Sequence, residues 1–380
     1  MYVNLAVLKE TQPHERRVAL VPSVAAELIK LGAKIHMQTG AGVAAHLSDD
    51  MFKDVSFSED RHKTLQHADV VLAVQPPSIA AVRAMKEKSV LISFIYTNKE
   101  QALVQCLLDR KITCFAMERI PRITRAQSMD ALSSQSALCG YYSVGLGLTQ
   151  LAHVLPKITT AAGALGPAKV LVMGLGVAGL EAIATAHRLG AQVEGYDIRP
   201  ATKEQALSLG ATFVDTGVDA SGKGGYAREL TEGEKNKVAE VLTKHIQAAE
   251  LIITTASIPG RPSPKLISHS QVLGMKAGSV IVDLSAEGGG NCADTVPGET
   301  KQVGPARIIA PLNVASLLST DASQLYSKNL YNFLALILKD NIITLNWDDE
   351  VLTKSCITHN GESKNDALKT KPVTHPETRA

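Results

Sequence analysis

An apolar strand candidate, Val170 to Met173, runs into Gly174-Leu-Gly176-Val177-Ala178-Gly179, and a helical pattern follows through Arg188. In such a strand–G-x-G-x-x-G–helix unit, Gly174 permits the tight turn and Gly176 lets backbone approach a pyrophosphate. Gly179 lets the helix pack closely on the strand. The helix N-terminus offers unpaired N–H groups and the positive end of its dipole to phosphates. The next strand candidate ends at Tyr196-Asp197, 18 residues after Gly179, where a ribose-binding acid is expected. A carboxylate there accepts hydrogen bonds from a 2′-hydroxyl and repels a 2′-phosphate, which favours NAD(H) over NADP(H). Arg199 argues the other way, but the acid occupies the strand end itself.

A second polar concentration is Pro121-Arg122-Ile123-Thr-Arg125-Ala-Gln127-Ser-Met-Asp130-Ala-Leu-Ser133-Ser-Gln135-Ser136. On its residues alone, it reads equally as a binding loop or as a plain loop and helix N-cap. The other reactive side chains form no constellation. The 11 histidines are scattered without H-E-x-x-H, and the five cysteines are widely spaced without C-x-x-C. No metal site and no disulfide framework are expected.

These groups need a scaffold, and the composition describes one. The chain has 380 residues, 45% hydrophobic and 20% charged, with a formal net charge of +2. At roughly 100–200 residues per domain, about two or three domains are expected, and the chain is too apolar for disorder. The near-balance of charge leaves no basic excess for nucleic acid. Lys9 and Glu10 interrupt the start before a signal-peptide core could form, and the cysteine usage points to a reduced, cytosolic setting.

Apolar runs at Leu5–Leu8, Lys34–Gln38, Val70–Val74, Val90–Phe94 and Thr113–Ala116 alternate with helical patterns. A second series has strands at Lys169–Met173, Gln192–Tyr196, Thr212–Val214, Leu251–Thr254, Ser279–Leu284 and Arg307–Ile309. Alternation of this kind implies parallel strands with right-handed crossovers. The expected fold is α/β, with two Rossmann-like, doubly wound parallel-sheet lobes around a cleft. The uncharged stretch from Ala131 to Pro156 reads as a packed linking helix, too rich in Ser, Gln and Gly to span a membrane. The expected domains are 1–135 plus about 315–347, then 136–314, with a disordered polar tail over 348–380.

Across about residues 1–345 the sequence resembles the soluble NAD(H)-binding domain, or separate alpha subunit, of proton-translocating nicotinamide nucleotide transhydrogenase. The resemblance rests on Lys9-Glu10, Glu15-Arg16-Arg17-Val-Ala-Leu, the Arg122–Ser136 segment, the glycine motif with Glu-Ala-Ile-Ala-Thr-Ala-His-Arg-Leu-Gly-Ala, and Asp197-Ile198-Arg199. It continues through Gly224-Gly225-Tyr226-Ala227, Thr254-Thr-Ala-Ser257-Ile-Pro-Gly260 and Asp283-Leu-Ser-Ala-Glu287-Gly-Gly-Gly-Asn291. It implies hydride transfer from NADH on this chain to NADP⁺ on a partner subunit, coupled to proton translocation by a membrane-spanning subunit. It also implies a homodimer, peripheral on the cytoplasmic face of the inner membrane through its partners.

By the same resemblance, Arg122, Gln127, Asp130 and Ser133 are the catalytic set around the nicotinamide and its ribose, with Ile123 beside them. Gly174, Gly176, Val177, Ala178 and Gly179 would hold the phosphates. Asp197, Ile198 and Arg199 would flank the adenosine ribose, and Ser257 the adenine. Gly225 and Tyr226 would belong to a loop that folds over the nucleotide. Val238 departs from the pattern, standing where a glutamine is expected near the nucleotide.

Two alternatives are an alanine dehydrogenase-like amino-acid dehydrogenase and a non-catalytic NAD(H)-binding module. The dehydrogenase shares the architecture and the opening motif, but reducing an imine requires a proton donor. It typically has a lysine in Val-Lys-Glu-Pro and a histidine after the following strand. Here those elements read Val74-Gln75-Pro76-Pro77 and Tyr96-Thr97-Asn98, and Glu287 replaces an expected aspartate. Hydride passing between two nicotinamide rings needs alignment and no proton donor. Glu15 and Arg16 accordingly read as structural.

Overall fold

The computed structural model describes residues 2–219, 228, 230–258 and 260–364. The chain divides into two units, with the breaks at 135/136 and 315/316.

The first unit is built on eight strands in the order Glu362–Ser363, Cys356–His359, Thr113–Ala116, Val90–Ser93, Val70–Leu72, Val3–Val7, Ala33–Gln38, Ser56–Ser58. The six strands from the N-terminal portion of the chain are mutually parallel. Val3, Leu5 and Val7 enter one apolar cluster while Ala6 and Leu8 enter another, so both faces are covered, as a parallel sheet requires. Helix Ser319–Ile337 fills the first cluster with Tyr326, Leu330, Phe333, Leu334 and Ile337. Its Ser323 and Ser327 hydroxyls accept the backbone N–H groups of Val18 and Val21 at 3.0 and 3.2 Å. The buried entry segment is thereby satisfied without joining the sheet.

The second unit carries seven strands in the order Thr212–Phe213, Gln192–Tyr196, Lys169–Met173, Leu251–Thr254, Ser279–Asp283, Ala306–Ile309, Thr300–Val303. Lys169–Met173 and Leu251–Thr254 are neighbours, and the strand order reverses there, which is where doubly wound sheets bind ligands. Val170, Val172, Leu251 and Ile253 face one core, and Leu171, Met173 and Ile252 the other.

The expected α/β sheets each carry antiparallel additions, and the expected tail needs correction. The sheets are not wholly parallel, because Cys356–His359 and Thr300–Val303 each pair antiparallel at or near a sheet edge. The tail is not disordered from Asp348 as far as 364. Asp349 caps helix Glu350–Ser355, and Cys356–His359 extends the sheet beside Thr113–Ala116. Val351, Leu352, Cys356 and Ile357 are buried. Four apolar side chains suffice because the edge strand already offers unpaired backbone groups for the incoming strand. Residues 365–380 lie outside the described residues. Among the described residues, no helix is long and apolar enough to cross a membrane.

Leu352 is 1% exposed in the principal core. Leu352→Ala should therefore cost about 2–5 kcal/mol in urea unfolding. A loss below about 0.5 kcal/mol, the size of an ordinary surface effect, would show that this segment is peripheral.

Candidate functional site

In the second unit the glycine motif forms a turn with little room for side chains. Gly174 has φ +95°, and a Cβ there would meet Ala256 N at 2.8 Å. A Cβ on Gly179 would sit 1.9 Å from the Gly174 carbonyl oxygen. Gly176 differs, with nothing within 4 Å of its Cβ position. It is the N-cap of helix Val177–Arg188, and no side chain caps that end. Val177 is exposed and Ala178 half-buried. A bare helix N-terminus behind an open glycine is a fitting cradle for a pyrophosphate.

Asp197 ends the next strand, as the spacing suggested, and its carboxylate is engaged by its own chain. Oδ2 accepts the Leu175 N–H at 2.7 Å, which ties the strand end to the glycine turn. Arg199 donates to Oδ1 from its backbone N (2.9 Å) and Nε (2.8 Å), and to Oδ2 from its terminal nitrogen at 2.7 Å. A ribose hydroxyl reaching this carboxylate must displace part of that fork. Ile198 packs on the apolar cluster beneath, and Ser257 is exposed two residues beyond Thr255. Val238 is buried in the same cluster as Ile198. Gly225 and Tyr226 lie outside the described residues.

Beyond Ser257 and Glu287, the Thr254–Gly260 and Asp283–Asn291 motifs carry supporting roles that the sequence does not assign. Thr255 Oγ1 donates to the Gly174 carbonyl at 2.7 Å, supporting the glycine turn from the adjacent strand. Asn291 brackets Ala256, accepting its N–H at 3.0 Å and donating to its carbonyl at 2.8 Å. Buried Asp283 gathers the N–H groups of Ser285, Asn291 and Cys292 and the Thr295 hydroxyl. The signal was present in the residue types, since an acid followed by glycines and an asparagine can organise a loop by accepting its backbone N–H groups.

The first unit holds the other predicted set. Arg122 and Gln127 are exposed, Ile123 is half-buried, and the turn Thr124–Met129 carries Gln127. Asp130 and Ser133 are brought together: Asp130 accepts the Ser133 N–H at 2.9 Å and its hydroxyl at 2.6 Å. Asp130 thus holds the start of helix Ala131–Leu148 while keeping lone pairs for a ligand amide.

The opening motif also resolves. The Glu15 side chain is fully buried and pairs with Arg17, not Arg16, at 2.6 Å. Gln135 accepts from Arg17 and Gln75 donates to Glu15, both at 2.8 Å. Nearby Glu10 accepts the Val74 and Gln75 N–H groups. Burial, with a smaller push from Glu15, lifts its carboxyl to about 7.

Comparison with known proteins gives the family. The family descriptions "Alanine dehydrogenase/PNT, N-terminal domain" and "Alanine dehydrogenase/PNT, C-terminal domain" match residues 6–139 and 143–366. The chain belongs to the alanine dehydrogenase/PNT family. It is 42% identical to a Rhodospirillum rubrum protein named as the first portion of NAD(P) transhydrogenase subunit alpha, over 96% of this chain and 99% of that one. The same-named protein of Rickettsia prowazekii is 39% identical, covering 97% and 98%. The crystal structure of a transhydrogenase from Sinorhizobium meliloti superposes with a TM-score of 0.84 at 36% identity, covering 96% and 99%. The family membership and the α/β architecture read from the sequence are both borne out.

Two outcomes follow from this family member's geometry. Gly179→Ala forces the helix away from the turn, so nicotinamide-nucleotide affinity by calorimetry should fall at least tenfold; unchanged affinity would remove the glycine turn from the site. Glu10 binds its proton more tightly folded than unfolded, so its contribution weakens as pH rises from about 4.5 to about 7. Glu10→Gln should therefore lose less unfolding free energy than the unmodified chain between pH 5 and pH 8. Equal losses would show that Glu10 ionises freely.

Proposed function

We propose that this chain is the NAD(H)-binding subunit of a proton-translocating NAD(P) transhydrogenase. NADH held on the chain would give a hydride from its nicotinamide C4 to that of NADP⁺ on a partner subunit, leaving NAD⁺ and NADPH. A membrane-spanning subunit would couple the transfer to proton movement, with this chain, as a homodimer, on the cytoplasmic face. The observation that carries the reading is the open Gly176 backbone at an uncapped helix start, tied to Asp197 through Leu175. The names of the relatives supply the reaction.

This chain's residues would bind, orient and exclude. Gly174, Gly176, Val177, Ala178 and Gly179 present backbone to the phosphates. Asp197 receives a ribose hydroxyl, Ile198 and Ser257 border the adenosine, and Arg199 adjusts around it. Arg122 and Ile123, with Asp130 and Ser133, would hold the nicotinamide end. The Gln127 amide can donate to one ribose and accept from another, so it can keep two nicotinamides in register. Gly225 and Tyr226 would close over the nucleotide.

The Glu15–Arg17 pair supports this reading over an amino-acid dehydrogenase. A dehydrogenase needs a cation for the substrate carboxylate and a titratable donor for the nitrogen. Here the guanidinium is engaged by Glu15 and Gln135, and position 75 is an amide turned onto Glu15.

Calorimetry should show NADH binding well ahead of NADPH, with Asp197→Ala narrowing the gap. Combined with an NADP(H)-binding partner, the chain should transfer hydride in a single turnover. It should form no NADH from NAD⁺ and L-alanine. Alanine-dependent NADH formation would establish the dehydrogenase instead, and NADH binding without transfer in the complex would leave a binding module.

A further inference from the structure

Residues distant in the chain tie down the Arg122–Ser133 segment. From helix Ser319–Ile337, the Asn329 and Asn332 side-chain amides both donate to the Ser128 carbonyl at 2.9 Å. Asn329 also accepts from the Ser134 hydroxyl at 2.8 Å. From the segment beyond Trp347, Asp349 receives the Arg125 guanidinium in two parallel bonds of 3.0 and 2.6 Å. Asp349 is itself fixed, since it accepts the Val351 N–H at 2.8 Å. The helix it caps packs on the turn Met117–Arg119. The following strand pairs with Thr113–Ala116, the strand from which the chain leads towards Arg122. The segment and its clamp are built off the same strand.

This clamp is poorly suited to stabilising the fold. The two side chains are 49% and 19% exposed, and exposed ion pairs contribute little. A bidentate arginine–carboxylate fork, however, fixes both direction and distance. Gln127 lies two residues from Arg125 in the same turn, Thr124–Met129. We propose that Asp349, acting through Arg125, is a positioning residue for hydride transfer that sets the placement of Gln127. The proposal rests on the function proposed above. It gives the segment after Trp347 a task at the site.

The test uses the full chain with Asp349→Ala, Arg125→Ala, and the charge-reversed pair Arg125→Asp with Asp349→Arg. NADH affinity should stay close to that of the unmodified chain in both single variants, and so should the thermal midpoint of Arg125→Ala, whereas Asp349→Ala also removes the cap of helix Glu350–Ser355 and should lower its midpoint modestly. Hydrogen exchange across residues 122–133 should rise. Single-turnover transfer with an NADP(H)-binding partner should slow at least tenfold, since a misplacement of 1 Å between aligned reactants can cost about a hundredfold. The reversed pair should recover some of the rate. Unchanged exchange, an undiminished rate in Asp349→Ala, or a rate loss that merely tracks a fall in thermal midpoint would overturn the positioning role. An unmodified chain that binds NADH yet passes no hydride would overturn the functional reading and the transfer role together.

Discussion

No methyl group fits between Gly179 and the Gly174 carbonyl, where a Cβ would lie at 1.9 Å. That single close approach sets how deeply helix Val177–Arg188 sits on its strand, and so where its unpaired N–H groups point. The surroundings serve the same constraint. Thr255 holds the Gly174 carbonyl, Asn291 holds Ala256, and Asp283 holds the loop that presents Asn291. A turn made of glycines has no side chains to hold itself, so its rigidity is borrowed from the neighbouring strand ends.

The two units treat charge differently. In the second, the buried acid at the strand end is engaged by a half-buried arginine two residues away. In the first, the equivalent reversal of strand order lies between Val3–Val7 and Val70–Leu72, and the chain after those strands is occupied by Glu10, Glu15, Arg17 and Gln75. Glu15 pairs with Arg17 and accepts from Gln75, and Glu10 accepts the Val74 and Gln75 N–H groups. A buried arginine whose fork already holds a carboxylate is a structural fastener, because displacing that carboxylate would strand a charge in low dielectric.

Much of this was legible because its signals are local. Every strand of the glycine-motif sheet as far as Asp283 falls within a strand candidate of the sequence, and the position of Asp197 follows from the span of one helix and one strand. The opening motif was legible only in some respects: Glu15 and Arg16 both read as structural, yet burial selects Arg17 as the partner, and adjacent arginines carry no mark of which points inward. The Arg125–Asp349 fork joins residues 224 apart, and no periodicity or motif encodes such a meeting. The segment after Asp348 misled because its composition is polar on average, whereas the four apolar residues that dock it occupy the right places on a helix and a strand.

The first unit is discontinuous along the chain, and that has a consequence for biogenesis. On the ribosome, residues 136–315 are all synthesised before helix Ser319–Ile337 and strand Cys356–His359, which complete the earlier sheet. Domains ordinarily fold from the N-terminus as they emerge; here the contiguous second unit can finish first. Meanwhile the Thr113–Ala116 edge and the apolar face awaiting Tyr326, Leu330 and Phe333 stay uncovered. Closing contacts of such long sequence separation are slow, so the nascent first unit is the region of this protein with most need of chaperone protection.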